Sequence, residues 1–110
     1  MLKIKGTEIT LTRGDTARIS LAVTRDGRPY DFSADTVVLT VKRSPGTPDI
    51  LVQRQAVDGV IYIAPSDTDA LEPGTYVYDV QLTTAGGDVC TVVPPSRFIL
   101  GPEVTWAAGS

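Results

Sequence analysis

Three acidic side chains close together in sequence are the best candidates for a chemical role. Asp67, Asp69 and Glu72 could present oxygen ligands to a hard cation from a single turn. Their spacing does not match the twelve-residue calcium loop, and nothing around them marks the sugar cleft that a pair of catalytic carboxylates needs. We therefore favour helix capping and a solvated loop for this cluster, and leave cation binding open.

Other catalytic chemistry finds little support in the composition. The chain has no histidine, which removes the commonest general base, the usual catalytic triad and most zinc sites. Cys90 lies in a predicted strand with no histidine to activate it, so we expect a small strand-filling residue rather than a nucleophile. A single cysteine cannot form an internal disulfide, which favours a reducing compartment. We expect no enzymatic activity, no metal and no cofactor.

Two short motifs are better explained as turns. Arg13-Gly14-Asp15 spells the integrin-binding tripeptide, but glycine followed by aspartate is ordinary turn composition. Gly86-Gly87 lacks the lysine and the following helix of a phosphate-binding loop. Neither motif is expected to carry function.

Tyrosines are the remaining candidates for binding. Tyr30, Tyr62, Tyr76 and Tyr78 could line a carbohydrate face if they were exposed. Tyr76 and Tyr78 are expected in the core because they share strand parity with apolar residues, whereas Tyr62 could lie on either face of its strand.

The elements that must position these residues are mostly strands, because apolar and polar residues alternate with period two. Asp26-Gly27 and Asp58-Gly59 predict tight turns, and Phe32 is expected to plug one end of the core. Pro94-Pro95 predicts that the last strand is kinked, bulged or at an edge. A helical turn over residues 65–72 is predicted to be capped by Ser66. The predicted strands cover residues 9–12, 17–24, 36–43, 50–57, 60–64, 75–84 and 89–100.

Tyr76 identifies the fold class. It enters a strand directly after Pro73-Gly74, as in the tyrosine corner of immunoglobulin-like sandwiches, where the hydroxyl bonds back to the preceding turn. We predict an acceptor between Asp69 and Glu72. The chain should form an antiparallel immunoglobulin-like β-sandwich of about seven or eight strands over residues 1–100, followed by a tail over residues 101–110; a small closed barrel is the alternative. Eight residues are predicted in the core: Ile19, Leu21, Val23, Leu39, Val41, Tyr78, Val80 and Leu82.

Composition and charge exclude some partners. A net charge of −3 disfavours nucleic acid, and no apolar run resembles a signal peptide or is long enough to span a bilayer. The chain is therefore expected to be synthesised in the cytoplasm, with no membrane partner. Residues 1–55 hold nine basic and six acidic residues, whereas residues 56–110 hold one and seven. This asymmetry is either chance or a sign of complementary faces on repeated subunits.

A family resemblance extends over nearly the whole chain. Five segments carry it: Leu11-Thr12-Arg13-Gly14-Asp15-Thr16, Asp26-Gly27-Arg28-Pro29-Tyr30-Asp31-Phe32-Ser33, residues 37–42, Gly74-Thr75-Tyr76-Val77-Tyr78-Asp79-Val80-Gln81 and Arg97-Phe98-Ile99-Leu100. Their order resembles the N-terminal immunoglobulin-like domain of phage baseplate upper proteins and related prophage tail modules.

The resemblance implies a non-enzymatic phage or prophage structural protein of the virion. Members of that family dock on other virion proteins, and longer members continue toward receptor-binding parts. The sequence has no such extension after Ser110, so an accessory module that forms homo-oligomers is expected. The alternative is a free-standing bacterial immunoglobulin-like module that binds a carbohydrate or a cell-surface partner.

The C-terminal residues supply one candidate contact. Trp is enriched at interface hot spots, and Trp106 lies beyond the last predicted strand. We expect Val104 and Trp106 to dock on a neighbouring subunit or another particle protein; the alternatives are packing on the chain's own sandwich and a flexible tail.

Overall fold

The structure, a computed structural model, describes residues 2–103. These residues form ten strands and one helical turn, so the chain is all-β. Two of the strands, β4 and β5, have only two residues each, and β1 precedes the first predicted strand. The elements are β1 (Leu2–Lys5), β2 (Glu8–Thr12), β3 (Ala17–Ser20), β4 (Thr24–Arg25), β5 (Arg28–Pro29), β6 (Thr36–Lys42), β7 (Val52–Gln55), β8 (Val60–Ile63), α1 (Pro65–Thr68), β9 (Gly74–Thr83) and β10 (Val89–Gly101).

Six strands form the main sheet, in the order β1-β2-β10-β9-β6-β7. The predicted antiparallel arrangement is wrong for one pair, because β2 and β10 run parallel, with Ile9 opposite Phe98 and Leu11 opposite Leu100. Period-two alternation is the same in parallel and antiparallel strands, so the pattern could not indicate strand direction. The sheet is open, with β1 and β7 at its edges, rather than closed into a barrel.

A two-stranded small sheet, β3 with β8, shares one core with the main sheet. Ala17 and Ile19 of β3 are buried, whereas Arg18 and Ser20 are exposed, which confirms the predicted register of this strand. Six of the eight predicted core residues are buried: Ile19, Leu39, Val41, Tyr78, Val80 and Leu82.

Leu21 and Val23 are only half-buried, so the prediction that they are mostly buried is wrong, although Leu21 packs against the core. The strand predicted over residues 17–24 ends at Ser20, and the Leu21 N–H donates to the Gly59 carbonyl at 2.9 Å. Beyond this point the chain forms the β4–β5 hairpin, which pairs with no other strand among residues 2–103. Apolar and polar residues therefore continue to alternate after Ser20, although the chain no longer pairs with β8 there.

Both predicted Asp-Gly turns are present. Asp26 and Gly27 have φ values of 53° and 76°, and Asp58 and Gly59 have φ values of 52° and 77°. Consecutive positive φ angles match the twist of the flanking strands in tight hairpins. These turns connect β4 to β5 and β7 to β8.

The last strand is bulged around its prolines, as predicted. Its register against β9 shifts between Thr91 and Val93 and again between Val93 and Ser96. It pairs with β2 only from Phe98 onward, so Pro94 and Pro95 remove no hydrogen bond to β2. Cys90 lies in β10, as predicted, with its side chain exposed.

The helical turn α1 is shorter than predicted and is capped differently. It spans Pro65–Thr68 with Ala64 as its N-cap residue, not Ser66. Proline is favoured at the first helical position because its φ is already helical, so the N-cap lies two residues before Ser66. Phe32, the predicted plug, is half-buried and packs against the core. Within residues 2–103, no helix has the length and hydropathy needed to cross a membrane.

Candidate functional site

Tyr76 lies at the start of β9 with its ring buried. Its hydroxyl donates a hydrogen bond to the Glu72 carbonyl at 2.5 Å, inside the range of acceptors predicted from the sequence. The bond fixes the turn before β9 to the strand that follows. Its role is therefore structural support for the central strand of the main sheet.

Tyr78 makes a second bond of this kind that the sequence did not reveal. Its hydroxyl donates to the carbonyl of Thr7, in the turn between β1 and β2. Burial raises the pKa of Tyr78, so the hydroxyl stays protonated and remains a donor. Donor and acceptor are 71 positions apart, and no local pattern predicts such a contact.

The acidic cluster is not arranged around a cation site. Asp67 accepts a hydrogen bond from Arg54 Nε at 3.0 Å and another from the Ala64 N–H at 2.8 Å. Burial is the largest influence and would raise the pKa of Asp67, but the bonds from Arg54 and Ala64 together lower it. Among residues 2–103, no group of three His, Cys, Asp or Glu side chains is placed to hold a metal ion.

The Arg13-Gly14-Asp15 turn is tied to distant parts of the chain. Arg13 Nε donates to both carboxylate oxygens of Glu103 at 3.1 Å, and Arg13 Nη1 donates to the Leu71 carbonyl at 3.3 Å. The Gly14 N–H donates to Oγ1 of the buried Thr68 at 2.9 Å. The Arg13 guanidinium is therefore engaged within the fold, which argues against adhesion through this tripeptide.

The other two tyrosines are more accessible. Tyr62 is 44% exposed on the outer side of the small sheet, and the Arg18 guanidinium lies 5.1 Å from its ring centroid. Tyr30 is half-buried, and its hydroxyl donates to Asp35 at 2.6 Å. Tyr62 is thus the tyrosine best placed to meet a ligand.

The face of the main sheet that points away from the core, hereafter the outer face, carries a shallow groove of about 280 Å³. Its floor is formed by side chains of β6, β7 and β9, and its walls include Pro45, Pro95 and Ile50, which is 51% exposed. The Gln53 amide donates to Thr40 Oγ1 across two floor strands at 3.1 Å. The groove therefore combines apolar walls with a hydrogen-bonding floor.

The charged residues of the groove, Lys42 on β6 and Asp79 on β9, were not recognised from the sequence. Lys42 is directly opposite Val77, and Asp79 is directly opposite Thr40, so the two charges lie diagonally across a strand pair. Neither forms a salt bridge with any residue in the range 2–103. Alternation of β6 and β9 could have placed both side chains on the outer face, but not next to each other, because pairing of these strands is not encoded locally.

The predicted contact residues Val104 and Trp106 lie outside the described residues, so their role stays a prediction. Comparison of the sequence with protein-family models and with curated proteins gives no match.

Proposed function

We propose that this chain is a non-enzymatic structural module of a phage or prophage tail, with an immunoglobulin-like sandwich that acts through protein–protein contacts. The proposal starts from the family resemblance of five segments spread from Leu11 to Leu100. The observation that supports it best is the hydrogen bond from Tyr76 to the Glu72 carbonyl, which lies at the start of one of those segments and is typical of immunoglobulin-like domains.

The surface is compatible with this contact role. On the outer face of the main sheet, Lys42, Val77 and Asp79 are half-buried and Gln81 is exposed, and the groove there offers apolar and hydrogen-bonding groups together. Interfaces commonly combine the two. Val104 and Trp106 are proposed as further contacts to a particle protein.

Mass spectrometry of purified phage particles tests this proposal. Particles would be induced from a strain that carries the gene and purified on a density gradient, and peptides of this chain should co-purify with tail proteins. Trp106→Ala should reduce incorporation, with Tyr62→Phe as a control for substitution of an exposed aromatic residue. Particles that contain tail proteins but none of this chain would contradict the proposal.

The second candidate is a binding module for carbohydrate. Exposure of Tyr62 favours it, because an accessible aromatic ring is what a sugar would stack against, although Arg18 lies over the ring. A glycan array with the purified chain tests this candidate. A specific signal lost in Tyr62→Ala would support carbohydrate binding, and no signal at any glycan would argue against it.

A further inference from the structure

Four residues at the centre of the outer face form a compact quadrilateral on β6 and β9. Thr40 is opposite Asp79, and Lys42 is opposite Val77. Adjacent strands are about 4.8 Å apart and alternate residues about 6.7 Å apart along a strand, so the two charges stand at opposite corners of a small patch. Thr40 and Val77 occupy the other two corners.

This pattern is complementary to itself. If a second copy is placed face to face with the first, about a two-fold axis along the Thr40–Val77 diagonal, Lys42 of each copy meets Asp79 of the other. The two uncharged residues on the axis then meet their own counterparts. A two-fold interface requires that one patch satisfies itself in this way.

We propose that two copies of this chain associate through their outer faces, with Lys42 and Asp79 pairing reciprocally and Val77 at the symmetry axis. The inference rests on the proposed contact role and deepens it by naming one partner, a second copy. Its test uses only the purified chain, so its failure would leave contacts with other particle proteins unaffected.

The surrounding groups favour a second copy over an unlike partner. The groove carries one positive and one negative charge, both without a salt bridge to any described residue. A two-fold axis lets a second copy supply the opposite charge to both residues at once. Gln53 and Gln81 beside them carry amides that can both donate and accept hydrogen bonds, and exposed Ile50 and Pro45 supply apolar surface.

Charge exchange tests the pairing directly. Lys42→Asp and Asp79→Lys, each alone, would place like charges opposite each other twice in a homodimer and should raise the dissociation constant by more than about tenfold. Mixing the two variants should restore association as a heterodimer, since both carboxylates of the Lys42→Asp chain then face ammonium groups of the Asp79→Lys chain. Sedimentation velocity measures the homodimers, and native mass spectrometry separates the heterodimer by mass.

Two control variants reverse exposed charges elsewhere. Arg28→Asp in the β4–β5 hairpin and Asp88→Lys in the β9–β10 turn should associate like the wild-type chain. Circular dichroism of each variant verifies that it remains folded.

A second measurement tests whether Val77 lies at the symmetry axis, without altering any charge. Val77→Cys combined with Cys90→Ser should be cross-linked by a short bismaleimide at concentrations where wild type associates. Arg28→Cys with Cys90→Ser should not. A wild-type chain that remains monomeric at high concentration, charge variants that associate as wild type does, or a mixture that fails to recover would each overturn the proposal.

Discussion

Two tyrosines on β9 show how single side chains connect this core to its loops. Tyr76 and Tyr78 are both buried, with exposed fractions of 4% and 5%, and each donates its hydroxyl to a backbone carbonyl. Their rings meet the apolar core, and Tyr78 packs edge-on against Phe98 at 6.3 Å between ring centroids. Phenylalanine would supply the same apolar area. The hydroxyls add hydrogen bonds that hold the turn before β9 and the turn between β1 and β2 against the core.

The contribution of the Tyr76 hydroxyl can be measured by removing it. Tyr76→Phe should lower the free energy of unfolding by about 1 kcal/mol, the net value of a typical intramolecular hydrogen bond. Tyr62→Phe is the matched control, because it removes an exposed hydroxyl that forms no hydrogen bond within residues 2–103, and should change stability by less than about 0.5 kcal/mol. Urea denaturation of both variants gives the comparison, and equal stabilities would contradict the structural role of Tyr76.

Leu39 tests the predicted core at a single position. It is 1% exposed and lies on the inner face of β6. Leu39→Ala should lower the free energy of unfolding by about 2–5 kcal/mol, because it leaves a cavity. Val89→Ala, at a residue 62% exposed, should change stability by less than about 0.5 kcal/mol. Similar losses in the two variants would contradict the assigned inner face.

At the scale of elements, turns and strand parity were readable from the sequence, but strand ends and pairings were not. Asp58-Gly59 has the positive φ angles that its composition requires, and Ala17–Ser20 has the predicted register. The end of β3 at Ser20 depends on where β8 stops pairing, and the parallel pairing of β2 and β10 joins segments far apart in sequence. The end of β3 and the parallel pairing both depend on contacts between segments far apart in the chain, so a short stretch of sequence cannot predict them.

The tight turn between β7 and β8 contains a glycine, at a position that only a residue without a side chain fits easily. Gly59 has φ +77°, and an added Cβ would lie 3.8 Å from Cζ of Phe32, an ordinary contact. Gly59→Ala should therefore destabilise through backbone strain alone, by about 1–2 kcal/mol. Gly46→Ala, at a position with open space and no positive φ, should change stability by less than about 0.5 kcal/mol. Thermal unfolding of the two variants distinguishes them, and equal midpoints would contradict the strain.

At the scale of the whole molecule, ion pairs join segments that are far apart in sequence. Arg13, after β2, holds Glu103, after β10, and Arg54 on β7 holds Asp67 in α1. The acidic cluster was recognised from sequence, but its partner Arg54 was not, because the partner is set by how β7 packs beside α1. The groove with Lys42 and Asp79 was missed for the same reason, since its residues come together only when β6 pairs with β9.

These ion pairs make stability depend on acid pH. The hydrogen bond from Arg13 lowers the pKa of Glu103 from its ordinary value of 4.5, and the pKa of Asp67 is lowered from 3.8 by Arg54 and the Ala64 N–H against the effect of burial. A carboxylate whose pKa is lower in the folded state contributes its full stability above the unfolded pKa and loses it as pH falls through the folded pKa.

We therefore expect the free energy of unfolding to be steady near neutral pH and to fall as pH drops below about 4.5. Glu103→Gln should be less stable at neutral pH and lose less stability on acidification, because its side chain no longer titrates. Glu72→Gln is the matched control, since it removes an exposed acid that forms no salt bridge within residues 2–103, and should follow the wild-type curve. Urea denaturation from neutral pH to about pH 2.5 measures both profiles. A Glu103→Gln profile parallel to that of the wild-type chain would show that the ion pair with Arg13 does not contribute to stability.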